Sequence, residues 1–216
     1  MKILVIDVGG THVKVLASGH QTPIKIPSGA RMTPRAMVKA VIDATAEWTF
    51  DAISIGYPGP VVAGRPARDP WNLGRGWVGF DFKKAFKRPV RIINDAAMQA
   101  LGSYEGGSML FLGLGTGLGS AMVRDGDLIP LELAHLPYRK GKTYEEYLGE
   151  AGYLRLGRRA WQRHVAHVTA LFTAAFVVDY IVLGGGNSRH LHKMPPGARL
   201  GSNSNAFKGG YRLWRD

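Results

Sequence analysis

Two glycine-rich loops, each lying between short apolar runs, constrain the fold of this chain most strongly. The first loop, residues 8–12, separates the runs 3–7 and 13–17, and the second, residues 113–119, separates 109–114 from 120–123. Strand-like runs joined through glycine turns predict β-hairpins. Because two such hairpins recur about 105 residues apart, the sequence predicts a duplicated α/β domain.

The remaining apolar patterns supply the other elements of such a domain. The predicted strands outside the hairpins are 22–27, 52–57, 90–94 and 180–183, and the predicted helices are 34–48, 95–101 and 155–176. Thr33 is a candidate N-cap with Pro34 at N1. In the longest helix the predicted apolar stripe comprises Trp161, Val165, Val168, Phe172 and Ala175. Residues 61–77, and those after about 193, are predicted to be irregular.

Composition excludes several classes of protein. The chain has 216 residues, no cysteine and a formal net charge of +12. It therefore has neither a disulfide framework nor a thiolate zinc site, and its charge favours a polyanionic partner. No apolar run is long enough to span a bilayer, and residues 1–7 lack the pattern of a signal peptide, so we expect a cytoplasmic protein.

The first glycine loop carries a set of groups suited to phosphate. Asp7 ends the first strand, Gly9 and Gly10 let backbone N–H groups approach an anion, and Thr11 and Lys14 can donate to phosphate oxygens. A purely structural hairpin needs the glycines but not the whole set. The second loop lacks the spacing of the dinucleotide fingerprint, because Leu118 stands where glycine is required.

Three further pairs have both a structural and a functional interpretation. Asn94-Asp95 follows a strand and opens a helix, which suits either an N-cap or a catalytic carboxylate. Glu132 and His135 can converge on a polar ligand or lie on a solvated loop. The histidine pair, His164 and His167, has the spacing of metal ligands, but without a third ligand we interpret it as a polar helix flank.

In this order, the motifs resemble those of the ROK family of sugar kinases, within the actin/hexokinase-like fold, and most closely its polyphosphate glucokinase branch. The matching segments are residues 7–14, 56–60, 71–73, 94–96, 113–119, 132–135 and 183–187, with a similar tail at 199–214. The resemblance implies an α/β fold of two ribonuclease-H-like lobes with a cleft between them. Residues 1–94 would form the N-terminal lobe, and residues 95–216 the C-terminal lobe.

The resemblance also implies roles for individual residues. Asp95 would be the general base that takes the proton of a sugar 6-hydroxyl. The residues expected to bind the sugar are Asn72, Asn94, Glu132, His135 and Glu145, with Glu146 as the alternative to Glu145. Those expected to bind the phosphoryl donor are Asp7, Gly9, Gly10, Thr11, Lys14, Gly115, Thr116, Gly117, Gly185 and Gly186. Asp7 would hold Mg²⁺ through water, and no structural zinc is expected.

The sequence thus predicts a kinase that phosphorylates glucose or a related hexose from polyphosphate, ATP or both. We expect a homodimer, and neither a membrane nor a nucleic acid as partner. Ala134 and Ser202 stand where the resembled sequences usually carry glycine and aspartate, and the loops near 102–108 and 137–143 are short. These departures motivate the alternative, a catalytically weak protein of the same fold that binds a polyanion such as RNA.

Overall fold

The computed structural model describes residues 1–202 and 204–214, so Asn203, Arg215 and Asp216 of the predicted tail lie outside it. The chain forms two compact units. The first is Met1–Met98 with the C-terminal segment from Ala206, and the second is Gln99–Asn205. Compared with the predicted lobes, the first unit also contains residues 95–98 and the C-terminal segment.

The first unit is built on a five-stranded sheet. Its strands are β1 (Ile3–Val8), β2 (His12–Ala17), β3 (Ile24–Pro27), β4 (Ala52–Tyr57) and β7 (Val90–Asn94), in the order β3-β2-β1-β4-β7. The pairs β1-β2 and β2-β3 are antiparallel, whereas β1-β4 and β4-β7 are parallel. The other elements are α1 (Pro34–Ala44), the small hairpin β5 (Val61–Val62) and β6 (Arg65–Pro66), and α2 (Phe82–Phe86). Helix α3 (Asp95–Ser103) begins in this unit and ends in the second.

The second unit repeats this architecture. Its sheet contains β8 (Ser108–Leu114), β9 (Leu118–Arg124), β10 (Asp127–Leu131), β13 (Tyr180–Gly184) and β14 (Ala198–Leu200), in the order β10-β9-β8-β13-β14. Between β10 and β13 lie the small hairpin β11 (Pro137–Arg139) and β12 (Lys142–Thr143), then α4 (Tyr144–Leu148) and α5 (Glu150–Phe176). A 3-10 helix, Gly186–His190, follows β13.

The two sheets share strand order and strand directions. In each, a β-hairpin supplies the first two strands, a third antiparallel strand follows, and two parallel strands complete the sheet. Both glycine loops connect the first two strands of their sheets. The predicted α/β fold with duplicated hairpins is therefore confirmed.

Each unit has its own apolar core. In the first, α1 packs Met37, Val38 and Val41 against the sheet, and Thr33 caps the helix by accepting a hydrogen bond from the Ala36 N–H at 3.2 Å, as predicted. In the second, the predicted stripe is buried except at its end: Ala175 is exposed and Phe176 packs against the core instead.

Helix α5 is longer than predicted and is interrupted. It begins at Glu150, and at Gly157 the backbone adopts φ +71°, a left-handed conformation that side chains disfavour. The helix 34–48 is shorter than predicted, because Thr45 caps it and residues 45–47 form a turn. Among the described residues, no helix is long and apolar enough to cross a membrane.

The prediction that residues after about 193 form only a loop and tail is wrong. Besides β14, the segment forms α6 (Asn205–Arg212), which buries Ala206 and Phe207 against Ile3, Val5 and Leu16 of the first unit. The Ser54 hydroxyl donates a 2.6 Å hydrogen bond to the Gly210 carbonyl. Few apolar residues and two glycines gave this helix a weak sequence signal, so tertiary packing rather than propensity stabilises it.

Candidate functional site

Asp7 lies near the end of β1, where the first glycine loop begins. In the register of the sheet it is opposite Lys14 on β2 and Gly56 on β4. The Lys14 ammonium lies 3.7 Å from Asp7 Oδ2, and only 14% of the Asp7 side chain is exposed. Burial raises the pKa of the Asp7 carboxyl, and the charge and hydrogen bond of Lys14 oppose that rise.

The loop itself needs its glycines. The Gly9 N–H donates to the His12 carbonyl at 3.0 Å, and a Cβ at Gly9 would lie 2.8 Å from that same oxygen. A Cβ at Gly10 would lie 3.2 Å from the Cβ of Asn72. The predicted phosphate loop and the predicted sugar ligand Asn72 are therefore neighbours, with Thr11 exposed beside them.

The segment that carries Asn72 is fixed by an aspartate that sequence analysis did not single out. Asp69 Oδ1 accepts hydrogen bonds from the Gly76 and Trp77 N–H groups at 3.1 and 2.8 Å. These bonds, led by that of Trp77, hold the pKa of Asp69 below its usual range. Trp77 is fully buried, whereas Trp71 is 98% exposed.

Asn94 and Asp95 occupy the carboxyl end of β7 and the start of α3. Asn94 Oδ1 accepts hydrogen bonds from the Ala96 and Ala97 N–H groups at 2.9 and 3.2 Å, so Asn94 caps the helix. Its amide donates to the Gly59 carbonyl at 3.1 Å. Asp95 Oδ1 also accepts from the Ala96 N–H, at 2.8 Å.

The capping role of Asn94 and a role in binding are compatible. The cap fixes the backbone from which the Asp95 side chain extends. Gly56 lies between Asp7 and this turn, since it pairs with Asp7 on one side and with Ile93 on the other. Two strand spacings of roughly 4.8 Å separate the backbones of β1 and β7. Asp7 and Asp95 thus both lie at the carboxyl ends of the parallel strands, the usual place for chemistry in α/β proteins.

The second glycine hairpin is held from three directions. The Gly115 carbonyl accepts hydrogen bonds from the Glu150 N–H, at the start of α5, and from the Asn187 amide, both at 3.0 Å. Gly185, with φ +80°, lies so close to Leu114 that a Cβ would be 2.5 Å from the Leu114 carbonyl oxygen. Gly186 has open space around its Cα and is exposed. The second unit therefore brings Gly185 to Leu114 and Asn187 to Gly115, next to the predicted donor residues Thr116 and Gly117.

The structure distinguishes Glu145 from Glu146. Glu145 Oε2 accepts a 3.1 Å hydrogen bond from the Leu118 N–H, and a Cβ at Gly117 would overlap this carboxylate. Glu146 instead forms a capping box with Thr143 and an ion pair with Lys142 at 2.9 Å. The Lys142 hydrogen bond is the main cause of the lowered pKa of Glu146. The capping box was readable from Thr143-x-x-Glu146 in the sequence.

Glu132 and His135 are exposed on the segment after β10, on either side of the buried residues Leu133 and Ala134. The Ser120 hydroxyl donates to the Leu131 carbonyl at 2.9 Å and accepts from the Leu133 N–H at 3.1 Å. The Glu145 N–H donates to the Ala134 carbonyl at 3.0 Å. This backbone pairing brings the segment carrying Glu132 and His135 to the start of α4, where Glu145 lies.

The donor set around Asp7 fits Mg²⁺ held through few protein ligands. Within residues 1–202 and 204–214, no group of three His, Asp or Glu side chains could hold a metal. Mg²⁺ in phosphoryl-transfer sites usually keeps several waters and uses one or two carboxylates plus substrate phosphates. One partly buried carboxylate beside a glycine loop matches that arrangement.

The histidine pair on α5 belongs to an aromatic cluster. His164 Nδ1 lies 3.0 Å from the Tyr138 hydroxyl, and its ring packs edge-on against Tyr147. Burial, reinforced by the charges of nearby Arg139 and other basic groups, lowers the pKa of His164. The predicted polar helix flank therefore describes the exposed His167, whereas His164 is half-buried and packs among tyrosine rings.

Residues 3–130 match the ROK family. The chain belongs to the ROK family. It is 28% identical over 213 residues to a polyphosphate glucokinase of Mycobacterium leprae, covering 88% of this chain and 65% of that protein. This ROK chain therefore spans about two thirds of the length of that curated relative.

Solved ROK structures share the fold. The inorganic polyphosphate/ATP-glucomannokinase of Arthrobacter sp. strain KM has a TM-score of 0.78 at 24% identity, over 97% of this chain and 96% of the other. The ROK family glucokinase of Streptomyces griseus, solved with glucose and AMPPNP, has a TM-score of 0.76 at 16% identity, over 99% of each chain. The predicted hexokinase-like architecture is confirmed by these similarities.

Proposed function

We propose that this ROK chain transfers the terminal phosphoryl group of polyphosphate or ATP to the 6-hydroxyl of glucose or a related hexose. The observation that carries the proposal is the turn between β7 and α3. There Asn94 caps the helix and holds Asp95 at the sheet edge that also carries Asp7 and the first glycine loop.

Asp95 is the general base in this proposal. The sugar 6-oxygen attacks the terminal phosphorus, and its proton passes to the Asp95 carboxylate. A new bond forms between the sugar oxygen and phosphorus, while the bond from that phosphorus to its bridging oxygen breaks. The electron pair leaves with the shortened polyphosphate or ADP. Such reactions depend chiefly on positioning and on neutralising phosphate charge.

The sugar is bound by amide, carboxylate and imidazole groups in this proposal. The residues proposed for this role are Asn72, Asn94, Glu132, His135 and Glu145. We choose Glu145 over Glu146 because Glu146 is engaged in its capping box and its pair with Lys142. Glu145, by contrast, lies at the second glycine hairpin.

The donor phosphates are bound by backbone and side-chain donors of the two glycine hairpins. In the first hairpin these residues are Gly9, Gly10, Thr11 and Lys14, and in the second unit they are Gly115, Thr116, Gly117, Gly185 and Gly186. Asp7 holds Mg²⁺, in part through water. When bound, the ion neutralises phosphate charge. Polyphosphate is supported as a donor by the similarity to a polyphosphate glucokinase and by the net charge of +12.

Replacement of Asp95 tests the proposal. Wild-type protein should form hexose 6-phosphate from glucose with at least one of the two donors. Asp95→Asn should lower kcat by about 10²–10⁴-fold, the usual contribution of a general base, while glucose binding measured by calorimetry persists. Asp125→Asn, an exposed substitution in the β9–β10 turn, is the matched control. Full turnover in Asp95→Asn would remove Asp95 as the base.

The second candidate function is binding of RNA or another polyanion without catalysis. The basic composition favours it, as do Ala134 and Ser202. Calorimetry with glucose and a salt-dependent shift assay with RNA separate the two functions. RNA binding without any glucose signal would support this candidate over the kinase.

A cytoplasmic location and a homodimer remain predictions. Light scattering on the purified chain measures its oligomeric state, and fractionation of expressing cells measures its location.

A further inference from the structure

The positive charge of the second unit is concentrated in one part of its sequence. Between Ala151 and Ser202 the only acidic residue is Asp179. Its carboxylate accepts a 2.7 Å hydrogen bond from the Ser108 N–H. The same stretch carries seven lysine and arginine residues, namely Arg155, Arg158, Arg159, Arg163, Arg189, Lys193 and Arg199.

Some of these basic side chains are already engaged. Arg155 donates to the Glu146 carbonyl and lies over the Tyr147 ring, and Arg199 pairs with Glu105. By contrast, Arg158, Arg159 and Arg189 are exposed, and the ion pairs found among the described residues do not include them. Arg189 makes one long contact, from Nε to the His190 ring at 3.4 Å.

Two contacts join the 3-10 helix 186–190, which carries Arg189, to the part of α5 that carries Arg158 and Arg159. The rings of Tyr153 and His190 stack with centroids 4.5 Å apart, and the Gln162 amide donates to the His190 carbonyl at 3.0 Å. Arg158 and Arg159 precede Gln162 by four and three residues, so they lie one helical turn away on neighbouring faces. We define the basic face as Arg158, Arg159, Arg189 and His190.

The basic face adjoins the second glycine hairpin. Asn187 donates to the Gly115 carbonyl at 3.0 Å, and Arg189 follows it by two residues in the same 3-10 helix. At about 2 Å of rise per residue, the Arg189 backbone lies about 4 Å further along that axis. The carboxylate that most closely precedes Arg158 in the sequence is Glu150, at the start of α5 and on the hairpin side of Tyr153.

We propose that the basic face is a second anion site, which binds the distal phosphates of a long polyphosphate donor whose terminal residues lie at the second glycine hairpin. This inference rests on the proposed function, because it extends the same donor site. A short donor would reach the hairpin alone, whereas a long chain would also contact the arginines. Bidentate guanidinium groups suit phosphate oxygens along such a chain.

The test compares long-chain polyphosphate with tripolyphosphate. Equilibrium binding to the full chain is measured without sugar, at several salt concentrations. We expect Arg158→Ser combined with Arg189→Ser to weaken long-chain binding about 10-fold and to reduce the slope of log affinity against log salt by about 1.5, as expected for two lost phosphate contacts. Binding of tripolyphosphate, and kcat with it, should be unchanged.

Two controls separate a located site from a general charge effect. Arg31→Ser with Arg35→Ser removes the same charge from exposed positions of the first unit and should leave long-chain binding unchanged. Arg158→Lys with Arg189→Lys keeps the charge and should restore most of the salt slope. Thermal melting verifies that each variant is folded.

Several outcomes would overturn the inference. Equal loss in the Arg31/Arg35 control, or unchanged long-chain binding in the Arg158/Arg189 variant, would show that the basic face holds no distal phosphates. The same holds if RNA binds this face and polyphosphate does not. Failure to phosphorylate any hexose would instead defeat the proposed function, and the binding comparison would still report on the face.

Discussion

The carboxylate of Glu145 accepts a hydrogen bond from the backbone N–H of Leu118, at 3.1 Å. This bond joins the first turn of α4 to the second glycine hairpin. A residue predicted to bind sugar is thus also in contact with the loop predicted to bind phosphate. A change at Glu145 is therefore expected to affect both substrates, whereas a change at Glu146 is not.

We predict that Glu145→Ala lowers kcat/KM for both glucose and phosphoryl donor by about 100-fold, because the hairpin loses its anchor and small displacements in a reactive site are costly. Glu145→Gln keeps an acceptor oxygen and should lose less. Glu146→Ala should leave kcat/KM within about 3-fold of wild type and instead lower the melting temperature, since it removes the side-chain half of the capping box. Steady-state kinetics and thermal melting measure these effects. The reverse pattern would assign the sugar contact to Glu146.

The Asp7–Lys14 pair predicts a pH-dependent requirement for Mg²⁺. Burial raises the pKa of Asp7, and Lys14 lowers it. As pH falls towards that raised pKa, Asp7 takes up a proton and loses the charge that attracts the ion. We therefore expect the half-saturating Mg²⁺ concentration to increase as pH falls.

Lys14→Met should raise the pKa of Asp7 further and move this dependence to higher pH. Lys25→Met is the control, because Lys25 on β3 is the residue paired with Lys14 in the sheet. Activity is measured against Mg²⁺ at each pH. An identical pH dependence in Lys14→Met and wild type would contradict the coupling.

His164 predicts that stability decreases in mild acid. Its pKa is lowered in the folded protein by burial and by neighbouring positive charges, Arg139, His167, Arg163 and Arg155. The unfolded chain therefore binds more protons than the folded one as pH falls below about 6.5, the usual histidine pKa. The stability that neutral His164 contributes is fully present above that pH. It is lost as pH falls through the lowered pKa of His164 in the folded protein.

We expect the free energy of unfolding in urea to be lower at pH 5.5 than at pH 7.5, with a smaller difference in His164→Gln. The exposed His192→Gln should retain the wild-type difference. If His164→Gln and wild type show the same difference, the pH dependence arises at other groups.

Gly210 on α6 predicts a packing defect. A Cβ there would overlap the side chain of Val5 on β1. Overpacking of this kind costs about 1–3 kcal/mol, more than the roughly 1 kcal/mol gained by replacing glycine with alanine in a helix. Gly210→Ala should therefore lower the free energy of unfolding, measured in urea, whereas Lys208→Ala on the exposed side of α6 should not. A Gly210→Ala protein as stable as wild type would show that α6 can shift away from Val5.

The glycine hairpins and the parallel strands were predictable because their signals are local. Strands 52–57 and 90–94 have the predicted bounds, since each is a compact apolar run that ends at a turn. Helix α6 was not predictable, because Gly209 and Gly210 weaken its helix propensity and its partner Val5 is distant in sequence. Contacts between distant residues leave no periodic pattern along the chain.

The candidate site was partly predictable for the same reason. Asp7 and Lys14 share one hairpin, so their pairing follows from the register of β1 and β2. Glu145 and Glu146 are adjacent, and sequence alone left the choice between them open. Their different partners, Leu118 and Lys142, depend on how α4 packs against β9 and follows β12. Asp69 went unnoticed because its hydrogen bonds are to backbone groups of an irregular loop.

The packing of α6 has a consequence for how the chain is made. Ala206 and Phe207 cover Ile3, Val5 and Leu16, residues that are synthesised well before the helix that covers them. The amino-terminal sheet is therefore synthesised long before its apolar surface can be closed. During translation this surface stays open to chaperones and to other nascent chains, and a chain that lacks α6 should give a lower yield of soluble protein.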